Sequence, residues 1–160
     1  ILTFIDVPGF LLGTEQEHSG IIKHGAKLIF AYSEATIPKL AVIIGKAYGG
    51  AYLAMSCKHL NSDYNVSWPS GELAVMDPKD AVIIIYKKEM MNSKNPEVTF
   101  QKFLNDYQDK SSDPYFAAKN GWIDDVIEPK MTRKNLIHAL RPLLSKREWT
   151  PPKKHDNIPL

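Results

Sequence analysis

The sequence predicts a single α/β domain, on three observations. An apolar segment, LTFIDV (residues 2–7), precedes a helical pattern, and a second apolar segment, KLAVIIG (39–45), follows it. Strand, helix and strand in that order describe a parallel crossover. The second segment does not alternate with polar residues, which marks a strand buried on both faces. It then passes through paired glycines, Gly49 and Gly50, into another helical run, AYLAMSCKH (51–59). The chain of 160 residues is long enough for one ordinary core. No internal repeat or linker divides it.

The elements follow in order. LTFIDV ends at Pro8-Gly9, a turn signal. Thr14, with Glu17 three residues on, reads as a capping box opening a helix to about Tyr32. Ile21, Ile22, Leu28, Ile29 and Tyr32 recur there at helical spacing. After KLAVIIG and the glycines, a helix is expected to about His59. NVSW (65–68) and LAVM (73–76) are short strands. Asp77 as cap and Pro78 in the first turn start a helix to about Met91. EVTFQKFLNDYQDK (97–110) is a further helix, with Val98, Phe100, Phe103, Leu104 and Tyr107 as its apolar stripe. Asp113-Pro114 opens a short helix that Gly121 stops. WIDDVIE (122–128) is a last strand, Thr132 caps a helix through Leu144, and a proline-containing tail closes the chain.

Composition narrows the function classes. With 44% hydrophobic and 24% charged residues the chain reads as a globular domain. No run approaches the roughly 20 apolar residues of a membrane-spanning helix. The net charge of +2 names no partner and gives no nucleic-acid signature. Basic residues do gather between Lys130 and Lys154, opposed only by Glu148; a solvated helix face and tail explain them, and a subunit or phosphate contact is the alternative. The single cysteine, Cys57, excludes an internal disulfide, fits a reducing compartment and reads as a small buried apolar residue. The chain begins at Ile1, already inside a strand pattern, and is read as a piece of a longer protein.

Paired glycines between a strand and a helix have two uses. They let the backbone turn tightly, and they let a ligand approach the amides. A helix start leaves unpaired N–H groups that stabilise an oxyanion. Gly50 and Ala51 are the candidate donors, with Gly49 giving clearance; packing alone is the competing explanation. The stretch lacks the Lys-Ser/Thr ending of a phosphate loop and the spacing of a dinucleotide fingerprint. A serine hydrolase would want its nucleophile beside the glycines, where Ala51, Tyr52 and Leu53 stand instead. His18, His24, His59, His138 and His155 are scattered without ligand spacing, so no metal is expected.

Read together, FIDVPGFLLGTEQEHSGIIKHGAKLIFAYSEATIPKLAVIIGKAYGGAYLAM, DYNVSWP, NGWIDDVIEP and KKHDNIPL closely resemble the biotin-dependent acyl-CoA carboxylases. The likeness is to the C-terminal domain of their carboxyltransferase β subunit, of the propionyl-CoA carboxylase type. It implies a crotonase-like fold of repeated ββα units. It also implies that residues 1–160 are part of that C-terminal domain, with the N-terminal domain and the first part of this one missing. The implied reaction moves a carboxyl group from carboxybiotin to the α-carbon of a short acyl-CoA such as propionyl-CoA. Biotin would be carried by a partner subunit or domain, and a coenzyme A thioester would be the substrate. The implied partners are the N-terminal carboxyltransferase domain, a biotin carboxylase or biotin carrier subunit, and further β subunits in a homo-oligomer, in the cytoplasm or the mitochondrial matrix. A biotin-dependent decarboxylase or transcarboxylase subunit, or a degenerate non-catalytic domain, are the alternatives.

On this resemblance Gly50 and Ala51 form the oxyanion hole facing the biotin carbonyl, and DVPGF lines the pocket through Pro8, Gly9 and Phe10. Leu53 either faces the acyl group or joins the core. One stretch departs from the family pattern. Where a glycine- and alanine-rich MGAEGA is usual, this chain has MDPKDA (76–81), with Asp77 and Asp80 in place of glycines. Helix capping would tolerate that change, and a loop needing glycine for close ligand approach would not.

Overall fold

The computed structural model describes residues 1–108, 112–153 and 155. Five strands make one sheet: β1 (Leu2–Val7), β2 (Leu40–Tyr48), β3 (Tyr64–Ser67), β4 (Glu72–Ala74) and β5 (Asp125–Val126). Every pairing is parallel. β1 and β3 flank the first half of β2, with Val42 beside both Phe4 and Val66. β4 pairs with the far end of β2, placing Lys46 opposite Glu72 and Tyr48 opposite Ala74. The second strand therefore runs three residues past its predicted end, because β4 gives Lys46–Tyr48 a partner.

Its lack of alternation has the expected cause. Ala41, Ile43 and Ala47 pack on one face with Ile5, Cys57 and Ile123, while Val42 packs on the other with Val66 and Ile127. Cys57 is fully buried and free.

The helices are shorter than their sequence patterns. The expected helix 14–32 is two, α1 (Thr14–His18) and α2 (Ile21–Glu34), broken at Gly20, whose φ of 76° is left-handed. Thr14 is not the cap; Gly13 holds that place and no side chain caps α1. The run after the glycines gives only α3 (Gly49–Leu53), because Ser56 at φ 58° turns the chain. A 3-10 turn, Lys58–Leu60, follows. The helix expected to reach Met91 divides at Tyr86 into α4 (Pro78–Ile85) and α5 (Lys87–Met91). Tyr86 stacks on Phe103 of α6 (Pro96–Tyr107), ring centroids 4.1 Å apart, which fixes the bend. The predicted end of that α6 pattern, at 109–110, lies outside the described residues.

Two predicted caps are present: Asp77 accepts the Lys79 N–H on α4, and Asp113 accepts the Tyr115 N–H on α7 (Pro114–Lys119). Gly121, at φ 74°, follows α7. WIDDVIE contributes only the two residues of β5. Asp124 instead uses its carboxylate to accept the Asn65 N–H at 2.7 Å and to pair with Lys58. Thr132 begins α8 (Thr132–Leu143) without capping it; its hydroxyl accepts the Trp68 indole N–H at 2.9 Å. Of KKHDNIPL, only Lys153 and His155 are described.

Candidate functional site at the end of β2

β2 remains extended through Tyr48, at φ −110° and ψ 132°. Gly49 then takes φ +57°, and a β-carbon on it would stand 2.9 Å from the Val75 carbonyl oxygen. Both facts demand glycine: the angle is left-handed, and β4 delivers a backbone oxygen where a side chain would start. The turn aims α3 so that its first N–H groups have no preceding turn to bond. Among the described residues, neither the Gly50 nor the Ala51 N–H has a hydrogen-bond acceptor. Gly50 is exposed, and Ala51 is buried and offers only its backbone.

The other sequence-predicted residues divide. Phe10 reaches the site: a β-carbon on Gly50 would lie 3.6 Å from its ring, and one on Gly25 of α2 would lie 2.7 Å from it. Its ring thus wedges between two glycines and backs the turn. Pro8 is exposed, and Gly9, at φ 138° with nothing within 4 Å of a β-carbon position, shapes the loop without touching the turn. Leu53, 43% exposed, faces outward on α3 and is not core.

Gly49, Gly50 and Leu53 line a cleft of about 480 Å³. Its other walls escaped the sequence reading: Val75, His59, Tyr107, and the Phe116–Trp122 pair, whose rings meet edge to face at 5.7 Å. These come from five separate segments. Tyr107 was legible only as part of a helical stripe, and no local signal joined it to the glycines. MDPKDA lies at the side of this cleft as a capped helix start, with Val75 just before it as the contributing residue.

Polar groups near the cleft are few. Tyr48, 2% exposed, donates its hydroxyl proton to a Glu72 carboxylate oxygen. Burial first, then the carboxylate, pushes this hydroxyl well above the usual phenol range, so it stays a donor. Burial and the nearby Cys57 raise Tyr52 in the same way, and its hydroxyl has no partner among the described residues. No group of three or more His, Cys, Asp or Glu could hold a metal ion among the described residues. The arrangement offers two N–H donors at the start of α3, with apolar walls beside Gly50, to a ligand oxygen that gains negative charge during reaction.

Comparison with known proteins gives a consistent picture. The carboxyl transferase domain family matches residues 1–158. The carboxyltransferase subunit of propionyl-CoA carboxylase from Haloferax mediterranei is 54% identical over 160 residues, all of this chain and 31% of that protein. The alpha subunit of methylmalonyl-CoA decarboxylase from Propionigenium modestum is 51% identical over the same length, again 31% of the relative. The crystal structure of transcarboxylase 12S, a hexamer with methylmalonyl-coenzyme A and methylmalonic acid bound, matches at TM-score 0.95 and 45% identity over 99% of this chain and 31% of that one. The chain thus spans about a third of the length of these relatives.

Proposed function

Because the chain belongs to the carboxyl transferase domain family and shares its crotonase-like α/β fold, we propose that it supplies the biotin side of an acyl-CoA carboxyltransferase site. The carboxyl group passes from carboxybiotin to the α-carbon of a short acyl-CoA such as propionyl-CoA. This chain is then part of the C-terminal domain of a carboxyltransferase β subunit. It works against an N-terminal carboxyltransferase domain and is served by a biotin carboxylase or biotin carrier subunit, within an oligomer of β subunits in the cytoplasm or mitochondrial matrix. Among the described residues no helix is long and apolar enough to cross a membrane.

The observation that carries this reading is the pair of unbonded amides, that of Gly50, which lines an apolar cleft, and that of Ala51 next to it. The residues present fit a biotin ureido ring, which needs donors for one carbonyl oxygen and no charged partner. Bound carboxybiotin would supply the carboxyl group, and its ureido carbonyl oxygen would be the acceptor in need of stabilisation. The Gly50 and Ala51 N–H groups donate to that oxygen. Gly49 sets their direction, and the Phe10 ring behind Gly50 keeps them from turning away. Leu53, with the aromatic wall opposite, presents an apolar surface to the acyl group and limits water.

The test is made in the full-length subunit with its biotin partner. Gly50→Val places methyl groups against Phe10 and across the donors. Losing one such donor lowers turnover roughly 100- to 1,000-fold. Ala51→Gly keeps its N–H and costs about 1 kcal/mol or less at a helix start. A folded Gly50→Val subunit with near-normal carboxyl transfer would refute the assignment.

Similarity of the same degree to a decarboxylase subunit supports a second reading, in which the same amides serve carboxyl removal from an acyl-CoA onto biotin. Copurification separates the two: a biotin carboxylase subunit supports the first, and a membrane sodium-pump subunit supports the second.

A further inference from the structure

We propose that Tyr48 and Glu72 are positioning residues, which hold the end of β2 so that the Gly50 and Ala51 amides stay aimed at the ligand. The inference rests on the reading of those amides as an oxyanion hole and adds two side chains to it. Tyr48 is the last residue of β2 and directly precedes the left-handed Gly49. Its hydroxyl donates to the carboxylate of Glu72, the first residue of β4. The Lys46 ammonium lies 5.7 Å from the centre of the Tyr48 ring, on the same end of the strand.

The connection is geometric. Backbone pairing between the two strands stops at Tyr48 and Ala74, one residue short of the turn. Two contacts reinforce that last pairing: the Val75 carbonyl, just past β4 and close to Gly49, and the Tyr48–Glu72 hydrogen bond, which runs diagonally from Tyr48 to the residue opposite Lys46. The carbonyl contact limits approach from one side but has no direction. The hydrogen bond is charge-assisted and directional, so it fixes rotation at the strand end. Rotation there swings the first amides of α3, and a small error in donor placement is enough to lower an electrostatic contribution to catalysis. Neither side chain needs to touch the reacting atoms.

Tyr48→Phe removes one oxygen and keeps the ring. In the full-length subunit it is expected to lower kcat about tenfold, leave KM for the acyl-CoA within twofold, and keep the melting temperature within a few degrees. Glu72→Ala should match it, and the double variant should be no worse than either single one. Glu72→Gln, whose amide oxygen still accepts the phenol proton, should recover most of the loss. A merely structural bond would lower stability and KM performance together and would show no rescue in kcat. Unchanged kcat in Tyr48→Phe beside a strong loss in Gly50→Val overturns this inference and leaves the hole standing. Unchanged kcat in both overturns both. Equal losses in Glu72→Gln and Glu72→Ala overturn the role of the hydrogen bond.

Discussion

At Gly49 an angle and a neighbour act together: φ is +57°, and the Val75 carbonyl oxygen is 2.9 Å from the β-carbon position. Gly50 has neither constraint, since its β-carbon position clears the Phe10 ring by 3.6 Å. The two glycines should therefore respond differently to alanine. Gly49→Ala is expected to destabilise by about 1–3 kcal/mol, from left-handed strain and the clash. Gly50→Ala should stay within about 1 kcal/mol. Chemical denaturation of both variants checks this, and equal losses would mean that the turn is not built on Gly49. The sequence showed that a pair was needed but not which member carries the turn, because that depends on where the chain leaving β4 puts the Val75 carbonyl. The same limit applies to Phe10, whose seat between Gly25 and Gly50 joins three segments that are distant in the chain.

Among the elements, the parallel strands were legible and the helix lengths were not. KLAVIIG is apolar because its strand is buried from Leu40 to Ile43, and burial of that kind is written into composition; LTFIDV alternates instead, burying Thr3 and Ile5 while Leu2 and Phe4 stay half exposed. The breaks at Gly20, Ser56 and Tyr86 come from tertiary contacts and backbone angles that helical periodicity does not report. Caps were legible where a short acid precedes proline, as at Asp77 and Asp113. That bears on MDPKDA. Asp77 is occupied with the Lys79 amide, and Asp77 and Asp80 do not line the cleft. Replacing both with glycine is thus expected to leave turnover unchanged and to lower stability by a few tenths of a kcal/mol for the cap. A marked rise in turnover would show that the acids obstruct the site.

At the scale of the molecule, the chain carries one side of the proposed site, and apolar side chains such as Leu12 and Ile84 stand exposed at 93% and 65%. The purified chain alone, given carboxybiotin and propionyl-CoA, is expected to show no transfer; turnover without another subunit would defeat the split site. The opposite end of β2 is fastened by charge. Asp63 accepts the Lys39 N–H at 2.8 Å and pairs with Lys146 at 2.9 Å, both charged side chains being largely enclosed. Partial burial pushes the Asp63 carboxyl up, but Lys146 and the Lys39 amide overcome it and hold it below its ordinary 3.8. Burial likewise pulls Lys146 down, and Asp63 and Glu148 more than restore it, above 10.5. The Asp63 contribution is present above its unfolded pKa and is lost as pH falls through the lower folded value. The Lys146 contribution is present below its unfolded pKa and is lost as pH rises through the higher folded one. Lys146→Ala should cost about 1–3 kcal/mol, a gap constant from about pH 5 to 9 and closing toward both extremes. Denaturation across pH reads it, and a gap that varies within that window would rule the pair out as its source. β2 thus starts at a charged anchor, has partnered neighbours along most of its length, and ends at the donors. Its amides should exchange with deuterium only through global unfolding, whereas α6, which carries Tyr107 of the cleft wall and buries only Leu104, should open locally at lower free energy. A ligand could then enter by a local breath of the wall while the donors it must meet keep still.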